Sequence, residues 1–258
     1  MLQDNSNIST QSNLITPERT LGDLRNHFNI KNKISKDARM CSLPFWKLNN
    51  EEQLIVHFLP DLNPENPNGF IVEKSIHHLK VGNTRTAVPC PTMFGEKKCP
   101  ICELSQQYYN NDDPINGKKF WKRKSKISQV LVKQSPHHLQ ENGVFPGTVM
   151  SLNLSYSISK IIEDSITDGT LDTLPFAYKD SPDFIIEMDK QSPFPSYTSS
   201  KFAPQNSDLT DNEITFAKSK MIDLSTILPR KFSPEKVEAL LIAAVCGTPY
   251  NGEGFSDN

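Results

Sequence analysis

The chain has 258 residues, a formal net charge of −2 and 36% hydrophobic residues, and 19 of its residues are proline. This length allows one large domain or two small ones with a buried core, and the proline content indicates many loops. No apolar run approaches membrane-spanning length, and mostly polar residues follow Met1, which argues against a membrane protein or a secretory signal. We therefore expect a soluble, intracellular protein without a membrane partner.

The small net charge conceals an asymmetry between two parts of the chain. Residues 1–160 carry 20 Lys and Arg against 14 Asp and Glu, whereas residues 161–258 carry 8 against 16. A positive part can attract a polyanion, although ordinary solvated surfaces are an alternative explanation of both balances. Six of the nine residues from 118 to 126 are basic, and this local density favours a polyanionic partner.

The first 40 residues are predicted to form a polar arm with one short helix. Asn, Ser, Gln and Thr dominate residues 1–16, a composition typical of disordered segments. Thr16 can cap a helix and Pro17 suits its first position, so we expect a helix that ends near His27.

From residue 45 the chain shows short apolar runs bounded by Pro, Gly and Asn, a pattern typical of strands. The runs predicted as strands are residues 45–48, 53–60, 70–72, 127–133 and 184–188, with mixed or strand-like segments at 143–154 and 155–162. We assign Trp46, Phe58 and Phe184 to the core. Short strands with long connections predict a mainly β fold with some helix, a small Greek-key barrel elaborated by a metal-binding loop.

Two helices are predicted near the C-terminus. Residues 214–228 have a helical pattern, and a final helix runs from Pro234 to Val245. Ser233 is its expected N-cap and Gly247 closes it.

Three of the five cysteines, Cys90, Cys99 and Cys102, lie within 13 positions and follow a pair of histidines, His77 and His78. Three thiolates and one imidazole form a common shell for a structural zinc ion. Adjacent residues on a strand point to opposite faces, so only one histidine can face the ion, and the spacing does not choose between them. The odd cysteine count, without signs of secretion, argues against a disulfide framework.

Two other interpretations of the motif are weaker, and Cys41 and Cys246 are predicted to be small buried residues. A redox Cys-x2-Cys pair is expected in a βαβ context, which the predicted elements lack. Zinc deaminases combine His-x-Glu with Pro-Cys-x2-Cys, but here Leu79 and Lys80 follow the histidines and supply no glutamate. Four protein ligands also leave no open position for water, so we predict a structural zinc and no enzymatic activity.

A basic segment with interspersed aromatic residues follows the cysteines and suits a single-stranded nucleic acid, because cations bind phosphates and rings stack on bases. The candidate contacts are Tyr108, Tyr109, Lys118, Lys119, Phe120, Trp121, Lys122, Arg123, Lys124 and Lys126. A second candidate wall is formed by Phe194, Tyr197, Lys201 and Phe202 in a Pro/Ser-rich loop. Aromatic rings are more often core than ligand contacts, and of the adjacent Phe120 and Trp121 one should point inward if the segment is extended.

Several of these motifs together resemble one protein family. They are Trp46-Lys47-Leu48, Val56 with Phe58-Leu59-Pro60, His77 with Cys90 and Cys99-Pro100-Ile101-Cys102, Tyr109-Asn110, Lys122-Arg123-Lys124-Ser125, Ser200-Lys201-Phe202 and Met221-Ile222-Asp223-Leu224-Ser225. With these residues, the chain from about 45 to 247 resembles the single-stranded-DNA-binding, helix-destabilising proteins of T4-type bacteriophages.

The resemblance implies an OB-fold core over residues 41–247, with a zinc subdomain at about 77–126 and a short C-terminal tail at 248–258. It implies sequence-independent, cooperative binding of single-stranded DNA in phage replication, recombination and repair, in the cytoplasm of an infected bacterium. The expected partners are single-stranded DNA, other copies of the chain on that DNA, and replication and recombination proteins. The family spacing favours His77 as the zinc ligand, with His78 as the fallback.

Two features differ from the family, which has a basic N-terminal arm and a long acidic tail. Residues 1–16 contain no Lys or Arg, and the residues after Gly247 include only Glu253 and Asp257 as acidic groups. The alternative functions are a zinc-stabilised RNA-binding module, distinguished from a DNA binder by its use of the 2′-hydroxyl, and a protein–protein adaptor of the replication machinery that uses the acidic part of the chain.

Overall fold

The computed structural model describes residues 21, 48–49, 52–188 and 196–250. The predicted strand at 45–48 and helix at 17–27 lie outside these residues, apart from Leu48, which is buried, and Leu21, which packs against the core. Trp46, Cys41 and Phe194 also lie outside the described residues.

The described part of the chain contains one seven-stranded sheet in which every pairing is antiparallel. The strands are β1 Gln53–Leu59, β2 Ile71–Val81, β3 Thr84–Pro89, β4 Arg123–Gln134, β5 Val149–Leu154, β6 Ser181–Glu187 and β7 Lys201–Ser207. Their order is β3-β2-β4-β1-β6-β7, and β5 pairs with β4 outside this path. One edge of β4 pairs with β5, while residues 123–128 pair with β2 and residues 129–134 with β1.

Six helices accompany the sheet within the described residues, so the fold is mixed α/β. They are α1 Pro100–Asn110, α2 Pro114–Phe120, α3 His137–Glu141, α4 Tyr156–Thr167, α5 Asp211–Lys220 and α6 Pro234–Cys246, with 3-10 turns at Pro91–Phe94 and Leu224–Ile227. The Asp113, Ser155 and Ser233 side chains cap α2, α4 and α6, and Thr210 forms a capping box with Glu213 at the start of α5.

The predicted elements at 53–60, 184–188 and 234–245 are present, but four predictions need correction. The strand expected at 127–133 begins earlier, at Arg123, inside the basic segment. The mixed segment at 155–162 is helix α4, because Ile158, Ile162 and Ile166 recur every four residues and are all buried. The helix expected at 214–228 ends at Lys220. Cys246 is exposed rather than buried.

The sheet has seven strands in the described residues, whereas the sequence predicts a small Greek-key barrel. Among the described strands, β3 and β7 form the two ends of the pairing path. The structure therefore establishes an antiparallel sheet with helices, and the Greek-key barrel remains a prediction.

The main core lies between the sheet and α4, and aromatic rings fill its centre. Phe58 packs against Phe70 and Phe184 with ring centroids 5.2 and 5.6 Å apart, and Phe70 stacks on Phe176 at 4.9 Å. Phe58 and Phe184 are fully buried, which confirms their predicted place in the core. A second apolar cluster lies where β2 and β3 meet α1 and α6, and it includes Cys90 and Cys99. We call it the metal-side cluster.

Gly69 closes the loop between β1 and β2 against the stacked rings, and we expect Gly69→Ala to destabilise the fold. Its φ is +76°, and an added Cβ would lie 2.7 Å from Cζ of Phe176. Gly143→Ala is the matched control, since Gly143 has φ +85° with no atom within 4 Å of an added Cβ. Both variants incur the cost of a left-handed backbone, but only Gly69→Ala should lose a further ~1–3 kcal/mol from overpacking. Equal urea-unfolding free energies for the two variants would contradict the close contact.

Candidate functional site

Four predicted metal ligands meet at one point, although they come from separate elements. His77 lies on β2, Cys90 directly follows β3, and Cys99 and Cys102 lie at the start of α1. One donor atom from each residue lies within 4.8 Å of the other three. His77, Cys90 and Cys99 are buried, and Cys102 is half-buried. The predicted Cys3His cluster is thus formed by the fold.

Three of the distances between donor atoms are close to those around a single tetrahedral ion. Nε2 of His77 lies 3.4 Å from Sγ of Cys99 and 3.6 Å from Sγ of Cys102. Sγ of Cys90 lies 3.7 Å from Sγ of Cys102, so these thiols are not joined by a disulfide. A tetrahedron with metal–sulfur and metal–nitrogen bonds of about 2.3 and 2.1 Å has edges of about 3.5–3.8 Å. The cluster is therefore compatible with one metal ion and four protein ligands.

Local sequence explains why the two nearby thiols share one face. Cys99 is the N-cap of α1 and Pro100 occupies the first helical position, where a missing N–H costs nothing. The Cys99 sulfur accepts a hydrogen bond from the backbone N–H of Cys102. Both sulfur atoms therefore lie at the start of α1, within 3.6 Å of Nε2 of His77.

Contacts within the cluster perturb the pKa values of Cys90, Cys102 and His77 in a way that suits a cation. Hydrogen bonds to Cys102 and Cys99 lower the pKa of the Cys90 thiol, and the contact with Cys90 raises the pKa of Cys102. Burial acts to lower the pKa of His77, but hydrogen bonds with Cys90 and Cys99 raise it to about 9. Without an ion the cluster retains protons to limit its negative charge. A bound cation would displace these protons, as metal binding to thiols requires.

The structure distinguishes between the two adjacent histidines. Nδ1 of His77 lies 2.8 Å from the carbonyl oxygen of Phe120, so Nδ1 carries the proton and Nε2 is free to face the thiols. His78 points to the other face of β2. Its register partner on β3 is Ala87. His77 is therefore the histidine of the cluster, and the fallback His78 is not.

The face of β2, β3 and β4 that carries His78 is basic. Two clefts of about 410 and 870 Å³ open on it and share His78 and Arg123. We call the two clefts together the basic groove. The smaller cleft is lined by Lys74, Ile76, His78, Ala87, Pro89, Arg123, Lys124, Ser125, Pro229, Arg230 and Phe232. The larger one is lined by His78, Lys80, Gly82, Asn83, Thr84, Arg85, Lys118, Lys119, Phe120, Trp121, Arg123, Ala244 and Gly247.

Charge in the basic groove has one sign. None of the described residues that line it is Asp or Glu. Partial burial, followed by the positive charges of Arg85 and Arg123, lowers the pKa of His78. The groove therefore presents a positive potential over an apolar floor that includes Ile76 and Pro89.

Six of the predicted nucleic-acid contacts line the basic groove. They are Lys118, Lys119, Phe120, Trp121, Arg123 and Lys124. Lys124 also forms an ion pair with Glu73 at 3.1 Å. Lys122 lies beside the groove, donates a hydrogen bond to Thr92, and lines a third cavity next to Cys99 and Cys102.

Each of the two tyrosines near the basic segment contacts one ring of the Phe120-Trp121 pair. Tyr109 meets Trp121 edge-to-face with centroids 5.7 Å apart. Tyr108 stacks on Phe120 at 5.8 Å. Phe120 lines the larger cleft, but it is only 8% exposed and packs in the metal-side cluster, so little of its ring surface is accessible. The expectation that one of Phe120 and Trp121 points inward is met by Phe120.

The remaining predicted contacts lie elsewhere. Lys126 forms an ion pair with Glu163, and both side chains are mostly buried. Tyr197 cannot stack on a base, because it is 1% exposed in the main core. Phe202 contacts Phe184 at 4.9 Å.

The second wall predicted from residues 194–202 is not part of the groove within the described residues. Lys201 is exposed, but it begins β7, at the opposite end of the strand order from β3. Phe194 lies outside the described residues.

Sequence reasoning missed several cations of the groove. These are Lys74, Lys80, Arg85 and Arg230. Alternation along β2, with Lys74, His78 and Lys80 on one face and His77 on the other, is a signal that could have revealed three of the groove residues. Arg230 has no such local signal, because only the fold brings it to the sheet.

No protein family model matches the chain, and no curated protein matches it. Among the described residues no helix is long and apolar enough to cross a membrane.

Proposed function

We propose that the protein binds single-stranded DNA without sequence preference and is not an enzyme. The observation that carries this proposal is the basic groove, whose lining combines cations from three strands and a helix with the Trp121 ring and no acidic residue. Phosphates require cations along a path longer than one residue, and bases require a flat ring beside it. Lys and Arg side chains bind phosphates and Trp stacks on a base face. Every nucleotide has both groups, so such contacts favour binding without sequence preference.

The metal in this proposal is a structural zinc ion. Three thiolates and one imidazole are typical zinc ligands, and a complete protein shell suits a structural ion. The hydrogen bond from Nδ1 of His77 to the carbonyl oxygen of Phe120 links the metal site to the end of α2, directly before Trp121. The ion thereby holds α1, α2 and β2 together, and these elements carry one side of the groove.

The finer parts of the proposal rest on the resemblance described above. They are an OB-fold core, a role in phage replication, recombination and repair inside an infected bacterium, and assembly with further copies and with replication proteins. An antiparallel sheet with an attached metal site supports them only at the level of architecture.

Titration of a fluorescent oligothymidine of about 15 nucleotides tests the function. We expect salt-dependent binding, with log K falling linearly against log salt by about 0.7 for each phosphate contact. A duplex and a matched RNA strand complete the experiment. No binding of either single strand would refute the proposal and leave a protein–protein adaptor as the alternative. Preference for the RNA strand would replace DNA by RNA, since the 2′-hydroxyl distinguishes the two.

A further inference from the structure

A short segment before α6 crosses the sheet face that carries the basic groove. Residues 229–232 connect the 3-10 turn Leu224–Ile227 to α6. Pro229, Arg230 and Phe232 line the smaller cleft opposite side chains of β2, β3 and β4. We call residues 229–232 the strap. The smaller cleft is thus bounded by the sheet on one side and by the strap on another.

The strap is held at several points independent of any ligand. Before it, the backbone N–H of Leu224 donates to Oδ1 of Asp61 at 2.9 Å. Within it, Lys231 forms an ion pair with Glu96. After it, Ser233 caps α6, which packs on the metal-side cluster. These contacts fix the strap without using Arg230.

Two strap residues differ from Lys231 in where they point. Arg230 is exposed and lines the smaller cleft together with Arg123 and Lys124. The Phe232 ring lines it too, and the Lys236 ammonium lies 4.1 Å from the ring centroid. The Arg230 guanidinium and the Phe232 ring therefore face the sheet across a cleft whose floor is apolar. This arrangement matches what one nucleotide presents, with its phosphate and base on adjacent sides.

We propose that the strap is the second wall of the nucleic-acid site, with Arg230 binding a phosphate and Phe232 contacting a base. This inference deepens the proposed function and depends on it. The sheet and the strap leave the smaller cleft open to an unpaired base, whereas a duplex keeps its bases inside the helix. The strap therefore favours single strands over duplex.

The test compares strap variants in the oligothymidine titration, with duplex DNA in parallel. Arg230→Ala is expected to weaken single-strand binding about fivefold at 0.1 M salt and to reduce the salt slope by about 0.7, as one lost phosphate contact requires. Arg230→Lys should retain the slope. Phe232→Leu keeps an apolar side chain without a flat face and should weaken binding about tenfold with an unchanged slope. Lys201→Ala is the charge-matched control and should bind with wild-type affinity, since Lys201 is exposed and lies outside both clefts.

Each outcome separates the inference from the function on which it rests. Wild-type protein that fails to bind any single strand refutes the proposed function. If wild-type binding is salt-dependent and Arg230→Ala binds equally well, the proposed role of the strap is refuted and the proposed function stands. An equal loss of affinity for single strand and duplex would also contradict the inference, because the strap should act on single strands. Arg230 is exposed, so its variants remain informative even if Phe232→Leu does not fold.

Discussion

Cys99→Ser is expected to abolish high-affinity metal binding and to unfold the metal-side cluster. Serine is a strong N-cap, so the substitution preserves the cap of α1 while removing one thiolate. A structural zinc contributes about 10–16 kcal/mol of apparent binding free energy, much of it as folding energy, and the variant should lose the greater part. Metal content by atomic emission should fall from one ion per chain to none, and thermal unfolding should shift to lower temperature.

Cys246→Ser is the matched control for this prediction. Cys246 is exposed at the end of α6 and lies outside the cluster. Its variant should keep one ion and the wild-type unfolding transition. Wild-type protein purified without metal, and unchanged in stability by added zinc, would contradict the structural site itself.

Removing three cations of the groove at once is expected to have the largest effect on nucleic-acid affinity. Lys80, Lys119 and Arg123 come from β2, α2 and β4, line the larger cleft and are exposed, so their replacement by Ala should spare the fold. Three lost phosphate contacts should lower single-strand affinity about 100-fold at 0.1 M salt and reduce the salt slope by about two. Fluorescence anisotropy over a series of salt concentrations measures both quantities.

A second triple variant separates local contact from total charge. Lys160, Lys201 and Lys220 are exposed, lie outside both clefts, and produce the same change in net charge when replaced by Ala. This control should lose little affinity, because exposed charges beyond a Debye length are screened. Equal losses for the two triple variants would show that binding follows net charge and has no defined site.

The residues of the Cys3His cluster could be predicted from sequence because their signal is local. Cys99 and Cys102 are separated by two residues at a helix start that Pro100 marks. Cys90 lies only nine positions before Cys99. The choice of His77 over His78 needed either a family spacing or the strand register. Once β2 is known to pair with β3, alternation alone assigns one histidine to each face.

The binding surface was harder to predict because its residues are distant in sequence. The segment 118–126 revealed Lys118, Lys119 and Arg123, but Lys126 in the same segment turns to Glu163. A polar Pro/Ser-rich loop gave no hint that Tyr197 fills the main core. Burial of that ring depends on β6 and β7, which form only in the folded sheet. The strap likewise could not be predicted from sequence, because the packing of α6 beside β2 sets its position.

The tandem histidines on β2 bear on how the sheet finds its pairing. A shift of β2 by one residue would turn His78 toward the thiols, so an imidazole would still be offered to the ion. The metal alone therefore cannot select the native alignment. The selection comes from Leu79 and Val81, since the shifted strand would exchange buried Leu79 for Lys80 in an apolar cluster. An ion captured before Leu79 is buried can hold the strand out of register, whereas an ion that arrives after folding meets only His77.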